Sequence, residues 1–340
     1  MRDMILRVDM KHSLRAGVIG VGSMGRNHAR VCSEMGVLDA IADPESSVAK
    51  PLAERFGVQY FSDYRKMLRT DLDAVTVSTP TNTHYKLAMD ALEAGKHVLV
   101  EKPICFSIRE AERLCAAADK EGLVLAVGQI ERHNPVVRFA RDSISSGRFG
   151  DVVSVAARRV STLPGRIRDV GVLMDLGIHD IDVIRYLAQS PVRSVYAVGG
   201  RRQNDRFEDH ANVLLEFENE ILGFVEVNWL TPMKVRRLSI TCMKNFVELD
   251  YMKQTADVSS SQVSGAIDHS DLYRLPIEFD IRHVSLKKQE PLRNEQEDFL
   301  DSIKKGREPL VSGADGTETL KVCQAALKSM KEGRRINMGE

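Results

Sequence analysis

The stretch "RAGVIGVGSMGRNHARVCSEM", Arg15 to Met35, decides the fold. It places Gly20-x-Gly22-x-x-Gly25 between a short apolar run, read as a strand, and an amphipathic run, read as a helix. Small residues at those positions allow a tight turn, let backbone N–H groups approach a pyrophosphate, and let the helix pack closely on the strand. Gly20, Gly22, Ser23, Met24 and Gly25 are therefore expected to hold a dinucleotide's phosphates. Glycine turns are common, so the context carries the weight: this one ends the first strand, opens the first helix and starts a βαβαβ series. Asp43 closes the next strand, "VLDAIAD", about 20 residues on, where an acid binds both ribose hydroxyls. Such an acid repels a 2′-phosphate, and Pro44 follows it in place of an arginine, so NAD is favoured over NADP.

Working outward, apolar runs continue to alternate with amphipathic ones: "DAVTVSTP", "HVLVEKP" and "LVLAVGQ" read as strands; "SSVAKPLAERFG", "HYKLAMDALEAG" and "IREAERLCAAADKEG" as helices. This rhythm predicts a Rossmann-type, doubly wound parallel sheet over residues 13–133. Residues 134–340 have a different texture. After one helix, "PVVRFARDSISSG", the strands lengthen and alternate: "DVVSVAARRV", "VRSVYAVGGRR", "HANVLLEFEN", "ILGFVEVNWL", "VRRLSITCM" and "NFVELDY". Asn219-Glu220 suits a hairpin turn. The second domain is expected to be α+β, a large, open, mostly antiparallel sheet serving substrate binding and oligomerisation. "TADVSSSQVSGAIDHS" (255–270) lacks periodicity and is expected to be a loop or mobile hairpin. Two helices end the chain, the last, at about 314–332, placed to pack back on the first domain.

With 340 residues, 43% hydrophobic and 28% charged, the composition is that of an ordinary globular protein of two domains. Lys+Arg and Asp+Glu are both 48, which argues against a dedicated nucleic-acid partner. The five cysteines show no CxxC pair, as expected of reduced thiols in the cytoplasm. No apolar run approaches the roughly 20 residues that span a bilayer. "MRDMILRVDMKHS" is too short and charged for a signal peptide and reads as a ragged leader.

Within "VLMDLGIHDIDVIRYL", Val172 to Leu187, Asp175, His179 and Asp182 fall at i, i+4 and i+7, on one helical face. That polar stripe fits a solvated face, a metal site needing a third ligand that no other cluster supplies, or catalytic machinery. Arg158, Arg159, Arg166 and Arg168 surround "TLPG". Arginine forks suit phosphates, so Arg158, Arg166 and Arg168 are candidates to dock a substrate diphosphate, although on a strand one of Arg158 and Arg159 must point away. Trp229 reads as core or dimer-interface packing.

Together with the glycine turn, "VSTPTNTH" (77–84), "EKP" (101–103) and the Asp-x-Gly-x-His of Asp175 to His179 resemble the glucose–fructose oxidoreductase/inositol dehydrogenase (Gfo/Idh/MocA) family of NAD(P)-dependent sugar dehydrogenases. "ERHNPVVRFARDSI" and "GFVEVNWLTPMKVRRLSITC" are similar to its archaeal-type branch that oxidises UDP-N-acetylglucosamine at C3. The resemblance implies that Lys102, Asp175 and His179 meet at the nicotinamide, that Ser78, Thr79, Pro80, Asn82 and His84 line the cofactor site, and that Glu101 contacts the ribose or nicotinamide side. It also implies a cis Lys102-Pro103 bond. Where many members carry a Gly-Gly-Gly-like run before the Asp, this chain has "RDVGVLMD", which leaves the local loop geometry open. His179 suits a general base because imidazole titrates near working pH; Lys102 suits a donor to the substrate oxygen, or the base itself if burial lowers its pKa. Asp175 is expected to orient the imidazole or touch the sugar, and Asp182 to cap or orient. The expected enzyme oxidises a secondary hydroxyl of a nucleotide sugar with NAD and works as a homodimer or homotetramer without metal. The rivals are a dehydrogenase of a free sugar or inositol, a non-catalytic NAD sensor, and a metal-dependent hydrolase.

Overall fold

A computed structural model describes residues 14–163, 170–263 and 277–339. The leader at 1–13, Arg166, Arg168 and the second half of "TADVSSSQVSGAIDHS" lie outside these residues. The first sheet contains β1 (Ala16–Ile19), β2 (Leu38–Ala42), β3 (Gln59–Phe61), β4 (Ala74–Val77), β5 (His97–Glu101) and β6 (Leu125–Gly128), in the order 3-2-1-4-5-6. All its pairings are parallel. The central strands β1 and β4 are buried at every position, as a sheet covered on both faces requires. Its crossovers carry α1 (Ser23–Glu34), α2 (Ser46–Phe56), α3 (Tyr64–Leu68), α4 (Thr81–Glu93) and α5 (Ile108–Glu121). The short β3 and α3 were not expected: three and five residues are too few to show a period.

After a 3-10 turn (Ile130–His133) and α6 (Pro135–Ser145), β7 (Val152–Thr162) enters the second sheet. A π-helical turn, Leu173–Gly177, then runs into α7 (Ile178–Ala188). Next come β8 (Val192–Gly200), β9 (His210–Phe217), β10 (Leu222–Asn228), β11 (Leu230–Cys242), β12 (Phe246–Asp250), β13 (Thr255–Val263) and β14 (Ile277–Ser285). Helices α8 (Pro291–Lys305) and α9 (Gly313–Glu332) precede the edge strand β15 (Ile336–Asn337). The nine strands are ordered 14-13-12-11-7-10-9-8-15, with only β7–β10 parallel. Asn219-Glu220 does form the β9–β10 hairpin, with Glu220 at φ 68°.

The first half of 255–270 is not a loop but a strand, antiparallel to β14, the next strand in sequence, as the hairpin alternative has it. Its backbone pairs with β12 on one side and β14 on the other, and Ala256 and Val258 are buried. Neighbouring strands supply the order that the serine-rich stretch itself does not signal. One face of this sheet is covered by α7 and α9; the Ser329 hydroxyl of α9 accepts from the Ala197 amide at 2.9 Å. The other face is open and carries Tyr196, Val198 and Phe224 at 40–50% exposure. Both terminal helices return to the first sheet: Gly316 of α9 packs on Val127, and Phe299 and Leu300 of α8 enter the core beside β1.

Candidate active site

The glycine turn is shaped by close approaches. Gly20 adopts φ +84°, and a Cβ there would lie 2.5 Å from Thr79 Cγ2; a Cβ on Gly25 would lie 1.8 Å from the Gly20 carbonyl oxygen. At Gly22, nothing lies within 4 Å of a Cβ. Helix α1 starts there with no side-chain cap and no acid in its first turn, so its positive end is left for an anion. Gly20, Gly22, Asp43, Ser78, Thr79, Pro80 and Asn82 line one cavity of about 500 Å³. Asp43 is held by the amides of Val21 and Glu45, both at 2.8 Å. The donor set and the open glycine cradle fit the adenosine and phosphates of NAD.

Arg65 and Lys86 line the same cavity. Asp90 lies between them, 3.1 Å from Lys86 and 3.8 Å from Arg65. These cations are thus partly neutralised, which agrees with a ribose hydroxyl beside Asp43 rather than a 2′-phosphate.

At the C-terminal end of β5, the Lys102-Pro103 peptide is cis. Lys102 Nζ donates to the Asp175 carbonyl oxygen at 2.7 Å and to Asp175 Oδ1 at 3.0 Å. The π-helical turn presents both acceptors; its i→i+5 spacing widens the backbone, a feature frequent at functional sites. His179 follows in α7, half-buried. Its Nδ1 is enclosed with no partner among the described residues, which leaves Nε2 toward the cleft. Burial first, then the charges of Lys102, Arg159 and Arg236, push the His179 pKa well below the ordinary histidine value.

Beneath His179 lies a buried charge cluster. Arg159 grips Asp180 through two bonds at 2.7 and 3.0 Å and Glu131 at 2.9 Å. Arg236, opposite Arg159 in the β11–β7 ladder, reaches Glu131 at 3.4 Å. Directly paired residues share a face, so Arg159 and Arg236 point to the helix side, and Arg158 and Arg237 to the open side.

Four expectations are corrected. Arg158 does not reach this site: it lies on the opposite face of the sheet, donating to Glu226 at 2.6 Å, because strand alternation gives the inner position to Arg159. His84 does not line the cofactor cavity. It is 1% exposed, with its ring nitrogens 2.8 and 2.9 Å from the carbonyl oxygens of Pro103 and Thr79, and braces the two loops from below. The Glu101 carboxylate turns inward to His28 instead of toward the cofactor. Asp182 does not share a stripe with Asp175 and His179. It is fully buried, bonded by Arg132 at 2.7 and 2.8 Å and by Thr319 at 2.9 Å. Trp229, 1% exposed, is core.

Residues 14–129 match the profile described as the oxidoreductase family with an NAD-binding Rossmann fold, and residues 137–248 match the Gfo/Idh/MocA C-terminal domain. The UDP-N-acetylglucosamine 3-dehydrogenase of Acidithiobacillus ferrooxidans is 30% identical over 310 residues, covering 90% of this chain and 94% of that one. The chain belongs to the Gfo/Idh/MocA family. As a Gfo/Idh/MocA member it is an NAD-dependent oxidoreductase acting on CH–OH groups.

Other Gfo/Idh/MocA relatives differ in substrate. The myo-inositol 2-dehydrogenase of Thermotoga maritima is 26% identical over 96% of this chain and 99% of its own. Among solved structures, the Acidithiobacillus ferrooxidans enzyme aligns with a TM-score of 0.84 at 28% identity, covering 94% of this chain and 98% of that one. Levoglucosan dehydrogenase in complex with NADH has a TM-score of 0.83 at 23% identity, covering 96% and 99%, and shows the common fold. No helix among the described residues is long and apolar enough to cross a membrane.

Reading the sequence missed Arg236, Arg159 and Glu131 as members of the site. The signal for the two arginines was present in the alternation of "VAARRV" and "VRRLSITC", but which face carries them depends on the strand pairing; Glu131, in the turn Ile130–His133, had no such signal.

Proposed function

We propose that this enzyme oxidises the secondary hydroxyl at C3 of UDP-N-acetylglucosamine to the 3-keto sugar. The observation that carries the reading is Lys102 held on Asp175 close to His179, whose Nδ1 is enclosed. Bound NAD supplies the hydride acceptor at this site. His179 Nε2 takes the hydroxyl proton, and the buried Nδ1 carries the ring's own hydrogen. An ammonium has three donors; two of those on Lys102 are engaged by Asp175, and the third is free to donate to the substrate oxygen and stabilise its developing charge. This division of labour makes His179 the base and Lys102 the electrostatic partner. Asp175 orients Lys102, and no bond joins it to His179 among the described residues.

The activated sugar is supported by the similarity to the Acidithiobacillus ferrooxidans enzyme and by Arg236, whose guanidinium lies on the inner face near His179 and Asp175. It is the candidate contact for the substrate's phosphate; Arg166 and Arg168, outside the described residues, stay candidates from the sequence alone. A rival, oxidation of a free sugar or inositol, is supported by the inositol dehydrogenases that match along the full chain. The test is a panel of nucleotide sugars, free sugars and inositols with NAD and NADP in parallel, read as reduced-nicotinamide absorbance. Turnover of UDP-N-acetylglucosamine with NAD is expected. Turnover of free sugars alone would move the reading to the rival, and tight NAD binding with no turnover at all would favour a sensor.

The open face of the second sheet is proposed to bury itself against another copy, giving a homodimer or homotetramer. A cytoplasmic location is proposed from the five thiols, none of them in a disulfide.

A further inference from the structure

Glu101 immediately precedes Lys102, yet its carboxylate is sealed in the interior, 7% exposed. Oε1 lies 2.8 Å from His28 Nε2 in α1, and Oε2 accepts from the Lys102 amide at 3.1 Å. His28 is itself fully buried, with its Nδ1 2.9 Å from Gln296 Nε2 of α8, which also donates to Thr76 Oγ1 of β4 at 3.1 Å. That chain orders the imidazole: Nδ1 accepts from Gln296, and Nε2 carries the proton that Glu101 accepts. Glu295, the next residue along α8, is buried with both carboxyl oxygens unpartnered among the described residues. Burial and the Glu101 charge hold it well above the usual carboxylate range.

The helix that opens at the phosphate-binding turn is thus joined, through one carboxylate, to the backbone of Lys102. We propose that Glu101 and His28 are a positioning pair: they couple the seat of α1 to the strand end carrying Lys102 and affect turnover through Lys102, without touching cofactor or substrate. The inference rests on the role of Lys102 proposed above. Both neighbours of the carboxylate are donors, so a glutamine in its place satisfies only one of them. Misplacing a reacting group by about 1 Å costs about 10²-fold in rate.

The test uses the full-length protein and begins without substrate. Lysine labelling read by mass spectrometry reports the freedom of Lys102, and fluorescence titration reports NADH affinity. Glu101→Gln and His28→Ala should each label Lys102 several-fold faster than wild type, with the NADH Kd within about two-fold. His28→Gln, whose amide both donates and accepts, should restore near wild-type labelling. In turnover, Glu101→Gln should lower kcat with KM little changed, and should add no further loss in a Lys102→Ala background. A Glu101→Gln protein that binds NADH at least about ten-fold more weakly with unchanged Lys102 labelling would make Glu101 a cofactor ligand and overturn the pair. So would losses that add in the Lys102→Ala background, or a His28→Gln protein that behaves like His28→Ala. Normal turnover of Lys102→Ala itself would instead refute the role of Lys102, and with it the coupling.

Discussion

In the proposed reaction His179 and Lys102 have opposite electrostatic tasks, and their surroundings separate them. The Nδ1 edge of half-buried His179 is enclosed and three cations act on the ring, so its proton-free form is favoured; Lys102 donates to two oxygens of one residue. A base lost from the site forfeits about 10²–10⁴-fold in rate. His179→Ala and Lys102→Ala are each expected to lose kcat on that scale while NADH affinity, measured by titration, stays near wild type. Unimpaired turnover in both would remove the assignment. The pH profile carries a sign. A lowered pKa keeps imidazole proton-free above that pKa, so the acid limb of kcat/KM should fall well below the ordinary histidine value of about 6.5. An acid limb centred at that ordinary value would contradict the environment described for His179. Both residues entered as candidates through the resemblance, because the motifs that carry it are local. Arg159 and Arg236 were not, because a one-residue change of register would send either to the other face.

At the scale of elements, α1 and α7 present the site, and each is held by contacts that distinguish binding from folding. A methyl group at Gly22 enters open space, whereas one at Gly25 would collide with the Gly20 backbone. Gly22→Ala should therefore fold normally and lose affinity for NADH. Gly25→Ala should lose affinity together with thermal stability, and equal melting temperatures for the two would show that the turn is looser than described. In α7, Asp182 is locked by Arg132 and Thr319. Removing one partner of a buried ion pair costs about 3–5 kcal/mol, so Asp182→Ala should lower the unfolding free energy by that amount, read as a fall in the denaturant midpoint. His179→Ala, at a half-buried position facing the cleft, should shift it far less. The period of the apolar residues revealed a helix here, but no local period records the π-helical turn that separates Asp175 from Asp182 and meets Lys102.

For the whole molecule, the open face of the second sheet is the surface to test. Phe224→Asp, at an exposed position on that face, should reduce the particle mass in light scattering or sedimentation. A mass unchanged by this substitution and by Val198→Asp would place the interface elsewhere. The alternation of strands and helices, the glycine turn and Asp43 could be read from the chain as short-range patterns with a direct physical reason, while Lys102, Asp175 and His179 were reached through the resemblance that "EKP" and the Asp-x-Gly-x-His carry. The tertiary structure alone decided what those residues meet. It turned Arg158 to the open face and Arg159 inward, enclosed Glu101 with His28, withdrew Asp182 into an ion pair, and ordered Thr255–Val263 between two neighbours. These outcomes depend on strand register and on contacts between residues up to 268 positions apart, as Gln296 and His28 are. Local propensity has no access to that range; close packing of the two sheets and their helices does.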